Sequence, residues 1–124
     1  MNDRDKWQAL HDFWNSFGIP AYDETDVPDD AEMPYITYGA VVSGFERVVM
    51  LNASIWYNST SWTAISQKAD EIAQAVKDYR LEAIEDDQYL FLTQGSPFAQ
   101  RMPDTDDRIR RIYINIMGEY FTRY

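Results

Sequence analysis

Residues 108–121 read RIRRIYINIMGEYF. Ile112, Ile114, Ile116, Gly118 and Tyr120 fall on one phase of a two-residue period. Arg111, Tyr113, Asn115, Met117, Glu119 and Phe121 fall on the other. Such an alternation predicts a long strand with one buried and one open face, as found in antiparallel sheets. A strand of that length needs partners, and the chain supplies them upstream. Residues 35–42 (YITYGAVV) and 48–57 (VVMLNASIWY) are rich in β-branched and aromatic side chains, and both read as strands. Pro34 precedes the first of them, where a missing donor is tolerated. Ser43 and Gly44 interrupt the two and suggest a hairpin tip. In the second strand, Leu51, Ala53 and Ile55 share one face; Asn52, Ser54 and Trp56 share the other.

Two helices complete the pattern. Residues 3–17 place Trp7, Leu10, His11, Trp14 and Phe17 at three- and four-residue steps, with Gly18 and Pro20 as stop signals. Residues 61–80 carry a stripe of Ile65, Ala69, Ile72, Ala73, Val76 and Tyr79 opposite Gln67, Asp70, Gln74, Lys77 and Asp78. Residues 19–22 suggest a short extended segment, and residues 82–87 a strand or a charged connection. Residues 89–93 (YLFLT) read as a strand. Residues 94–107 (QGSPFAQRMPDTDD) read as a long irregular connection because of Gly95, Pro97 and Pro103. The resulting order is α-β-β-α-β-β. It predicts an α+β fold, with an antiparallel or mixed sheet and two helices packed on one face. With 124 residues, one domain spanning 1–124 is the expectation.

Bulk properties narrow the function. The formal net charge is -10, which disfavours gripping nucleic acid or anionic membranes. Cysteine is absent, removing disulfide and Cys-zinc frameworks. No apolar run approaches the roughly 18 residues of a membrane span. The N-terminal residues lack a signal-peptide core, so synthesis in the cytoplasm is expected. The sequons at Asn52 and Asn58 are then chance matches. Nine Tyr, six Phe and four Trp suit half-buried surfaces, including protein interfaces.

Chemistry-bearing motifs are sparse. His11 is the single histidine, and its place beside an apolar stripe suits a packed or rim position rather than a ligand. Six acids crowd residues 23–32: Asp23, Glu24, Asp26, Asp29, Asp30 and Glu32. A second cluster holds Asp104, Asp106 and Asp107, and Glu85, Asp86 and Asp87 lie elsewhere. No calcium-loop glycine or P-loop accompanies either cluster, and no Lys, Arg or His stands at the defined spacing that carboxylate enzymes usually add. Solvated loop charge is the simpler reading. A small carboxylate-dependent metal enzyme is the rival from another class. Arg108, Arg110 and Arg111 form the one basic cluster, with Arg111 on the opposite strand face from the other two. Local charge compensation and ion pairing across a subunit boundary both remain open for it. Phe45 at the hairpin tip, and Phe98, Arg101 and Met102 in the long connection, either tuck back onto the sheet or anchor a partner.

The order of these segments, with IPAYDETDVPDDAEMPYITYG at 19–39, ASIWYNSTSW at 53–62, ADEIAQAV at 69–76 and LFLTQGSPFAQRMPDTDDRIRRIYINIMGEYF at 90–121, resembles small tail terminator proteins of long-tailed phages and prophages. These are also described as tail completion, minor capsid or head–tail joining proteins. The likeness runs from about residue 19 to residue 121 and is one of pattern, without a catalytic motif. It implies a non-enzymatic virion protein without cofactor. Copies would form a ring, typically a hexamer, on the tail tube, stop its growth and present a surface to the head connector. DNA would pass the lumen without specific binding. Another head–tail connector or adaptor is the nearest alternative. In that setting Asp26, Asp29 and Asp30 would be candidates to meet Arg108, Arg110 or Arg111 of a neighbour.

Overall fold

The computed structural model describes residues 6–41, 48–83 and 88–122. Asp3 and Asp5, the hairpin tip with Phe45, and Glu85, Asp86 and Asp87 lie outside the described residues. Among those described, the chain is α+β, with two helices and a six-stranded mixed sheet. Helix α1 (Lys6–Trp14) runs into one turn of 3-10 helix (Asn15–Phe17). Strands β1 (Ala21–Asp23), β2 (Tyr35–Val41) and β3 (Val48–Asn58) follow. Then come α2 (Thr63–Ala75), β4 (Arg80–Ala83), β5 (Gln88–Met102) and β6 (Ile109–Thr122).

The strand order across the sheet is β1-β2-β3-β6-β5-β4. Only β1 against β2 is parallel; all other neighbours are antiparallel. The centre is the β3–β6 pair, in which Leu51 faces Ile116, Ala53 faces Ile114 and Ile55 faces Ile112. All six side chains are buried. They meet Leu10, Phe13, Trp14 and Phe17 of the first helical segment and Ile65, Ala69, Ile72 and Val76 of the second in one hydrophobic cluster. Both helices therefore occupy the same sheet face. Helix α1 touches β1 and β4, the two edge strands, and the Arg80 guanidinium lies 5.4 Å from the Phe13 ring centre. The sheet thus curls round the helices, which leaves its other face convex.

The helical stops follow familiar chemistry. Gly18 takes φ 84, a left-handed cap open to glycine at little cost. The Lys68 ammonium donates to the Phe17 carbonyl, placing a cation at the end of the first helical segment.

The element order differs from the sequence expectation in three places. Residues 21–23 and 80–83 are strands of their own, so the order is α-β-β-β-α-β-β-β. Helix α2 ends at Ala75 rather than residue 80, because Arg80–Ala83 is captured by the edge of β5, with Arg80 opposite Leu92 and Ala83 opposite Tyr89. Pairing overrides helix propensity there. The expected irregular connection over 94–107 is mostly strand, since β5 continues to Met102. Gln94 pairs with Ile116 and Ala99 with Ile114, so Gly95, Ser96, Pro97 and Phe98 stand opposite Asn115 alone. This bulge absorbs the residues that read as breakers. Asn115 Nδ2 donates to the Pro97 carbonyl at 3.0 Å, and Phe98 packs against the core cluster.

Gly95 is required by close approach. A Cβ at that position would lie 2.9 Å from both the Cβ and the backbone oxygen of Asn115. Gly95→Ala is expected to destabilise the protein by about 1–3 kcal/mol through overpacking, measured by urea unfolding. A loss below the error of that measurement would show that the bulge is loose.

Candidate assembly surface

The strand register that buries Leu51, Ala53 and Ile55 sends their neighbours to the convex face. There Trp56 faces Arg111, Ser54 faces Tyr113 and Asn52 faces Asn115 across β3 and β6. Tyr35 and Thr37 extend the face through β2, Tyr22 through β1, and Gln100 and Met102 through β5. No described element covers it.

Side chains on this face are organised by one another. Tyr22 and Tyr35 meet edge to face at 5.8 Å, and Tyr35 stands 6.5 Å from Trp56. The Trp56 indole N–H donates to Thr37 Oγ1 at 2.9 Å. Arg111 stacks over the Trp56 ring at 4.7 Å and donates from Nε to Ser54 Oγ at 2.9 Å. This is a cation–π geometry in which the hydrogen bond fixes the guanidinium plane. Further along, Tyr79 stacks on Phe91 at 5.4 Å. Phe91, Thr93, Met117 and Glu119 line a shallow depression. Tyr79 and Leu81 are exposed large apolar groups beside it.

The basic run is divided between the two faces, with Arg111 on the side opposite Arg110, as the alternation predicts. Arg110 lies on the helix side, donating to the carbonyls of Asp107 and Thr60 at 2.8 Å. Its guanidinium and that of Arg101 both lie over Trp62, at 5.2 and 4.7 Å. Arg108 sits in the turn before β6 and pairs with Asp106, Nε to Oδ1 at 3.3 Å, which is local charge compensation. Arg111 alone of the cluster reaches the convex face. Met102 is the last residue of β5, opposite Arg111.

Asp26, Asp29 and Asp30 are exposed in the turn-rich segment before β2. Their carboxylates have no hydrogen-bond or ion-pair partner among the described residues, and no described ion pair joins this segment to an arginine. Asp23 instead organises the turn, accepting from the Thr25 hydroxyl at 2.7 Å and its N–H at 2.9 Å. Those bonds, the hydroxyl's first, hold the Asp23 carboxyl below its ordinary range. His11 takes the rim position expected of it: Nδ1 lies 2.9 Å from the Tyr38 hydroxyl. Burial, then the charges of Asp23 and Asp12, push the Tyr38 phenol up.

The sequence pattern does not single out Trp56, Tyr35, Tyr22, Ser54 or Trp62. Its alternation does put Trp56 and Ser54 on the face away from Leu51. What it lacks is the register that sets Arg111 beside them. Among the described residues, no three His, Cys, Asp or Glu side chains come together to hold a metal ion. None of the described helices is long and apolar enough to cross a membrane.

No family model and no curated protein matches the sequence. A chain in the solved structure described as "Virion of native gene transfer agent (GTA) particle" shares the fold. The TM-score is 0.56 at 14% identity, over 92% of this chain and 90% of that one.

The turn before β6 makes a pH prediction. The Arg108 N–H, and then its side chain, hold the Asp106 carboxyl below its ordinary value. The ionised carboxyl therefore favours the fold above the unfolded value of about 4. That contribution is lost as pH falls through the lower folded value. Asp106→Asn is expected to flatten the acid limb of the stability–pH curve, measured by urea unfolding between those values. An unchanged slope would contradict the assignment.

Proposed function

We propose that this chain is a structural virion protein of the tail-terminator kind, acting as one domain over 1–124. Copies form a ring, a hexamer on the tail, which caps the tail tube, stops its polymerisation and offers the head connector an attachment surface. DNA passes through the lumen, and the chain's net charge of -10 suits a wall that repels phosphates. The role needs no catalysis and no cofactor, and it puts the protein at the head–tail interface of the particle.

The observation that carries this reading is the fold shared with a chain of a gene transfer agent virion over nearly the full length of both. The convex sheet face supports it. A sheet that buries one side and keeps Tyr, Trp, Met and Arg on the other has the composition of an interface core. Residues Asp26, Asp29, Asp30, Phe45, Phe98, Arg101, Met102, Arg108, Arg110 and Arg111 are the interface candidates in the sequence. Because Phe98 packs inward and Arg108 and Arg110 are engaged within the chain, the weight shifts to Arg111, Met102 and the acidic turn.

Electron microscopy of particles made without the gene tests the role. Tails of abnormal length lacking heads are expected. Normal free tails beside tailless heads would assign a connector adaptor instead, and intact particles would refute a virion role.

A further inference from the structure

We propose that the convex sheet face centred on Arg111 receives the acidic turn, residues 26–32, of a second copy of this chain. The inference rests on the ring-forming reading above and narrows it to one contact.

The receiving group is prepared for a carboxylate. Arg111 is held at Nε by Ser54 and over one ring face by Trp56. Its two terminal nitrogens have no partner among the described residues. A guanidinium fixed in this way loses little freedom on binding and presents parallel N–H groups that match a carboxylate in bidentate fashion. Tyr113 lies two residues along β6 from it, and Tyr35 and Tyr22 continue the same face beyond Trp56 across β2 and β1; their hydroxyls are likewise unengaged among the described residues. Arg flanked by Trp and Tyr is the composition in which interface energy concentrates.

The other arginines are poorer receivers. Arg108 is paired with Asp106. Arg110 is spent on the carbonyls of Asp107 and Thr60. Arg101 stacks on Trp62 on the helix side of the sheet.

Charge complementarity names the occupant. Asp26, Asp29, Asp30 and Glu32 are exposed carboxylates on one short turn, without partners among the described residues. On a chain of net charge -10, most approaches between copies are repulsive, and a turn of one copy meeting the Arg111 face of the next is locally attractive. The turn leads into β2 at one side of the sheet, whereas Arg111 lies on central β6. The two patches are different surfaces of one chain, so their contact is heterologous and repeats around a ring or along a filament.

Charge swapping in the full chain tests this, read by sedimentation velocity with circular dichroism to confirm folding. Asp29→Arg with Asp30→Arg alters only exposed turn positions and is expected to weaken self-association about tenfold or more. Arg111→Glu should do the same. Combining all three should restore association to within about twofold of the native protein, and added salt should weaken the native contact. If Arg111→Glu does not fold, the turn variant decides alone. Native-like association of the turn variant would overturn the proposal, as would a native chain that stays monomeric throughout its soluble range. Neither result touches the virion role, which is tested separately by particle morphology. Conversely, intact particles without the gene would refute that role and leave a charge-swap rescue standing as proof of the contact.

Discussion

The register of β3 against β6 is the constraint on which the rest of the molecule depends. It aligns Leu51 with Ile116, Ala53 with Ile114 and Ile55 with Ile112 on the side the helices cover. The same alignment puts Trp56 beside Arg111 and Ser54 beside Tyr113 on the side they do not. A slip of one residue would send the isoleucines to solvent and the arginine into the core. Burial of the apolar set thus enforces the arrangement of the polar and aromatic one, and the proposed assembly surface is a consequence of the core.

Curling follows from the same packing. Helix α1 bridges toward both edge strands, and α2 lies across β3, β5 and β6, so one layer of helices is enough to fill the concave side. The convex side is left with side chains that satisfy each other only in part. The Trp56 N–H and the Arg111 Nε are answered within the chain, whereas the outer nitrogens of Arg111 are not answered by any described residue. Partial satisfaction of this kind is comfortable in water and favourable against a complementary partner.

Much of this fold is legible in the amino-acid sequence. The alternation over 108–121 and the stripe of Ile65, Ala69, Ile72 and Val76 each follow from a periodicity that the core enforces. The rim position of His11 follows from its place beside such a stripe. What the sequence hides depends on pairing rather than on pattern. Strands β1 and β4 are too short to show alternation and exist because β2 and β5 offer them edges. Gly95 and Pro97 signal a break, and only the opposing Asn115 turns that break into a bulge within a continuing strand. The arginine run reads as one cluster because it is contiguous, but a strand sends adjacent side chains to opposite faces. Arg111 is therefore separated from Arg110 by a geometry that the alternation reveals, and joined to Trp56 by a register that it does not.

Hydroxyl-radical footprinting of the isolated chain and of the assembled particle tests most directly whether the convex face is where this protein joins its neighbours. Tyr35, Trp56, Met102 and Tyr113 should lose reactivity on assembly, while exposed Trp7 of α1 keeps it. Equal labelling of the convex face in both states would contradict that conclusion and move the interface elsewhere on the molecule.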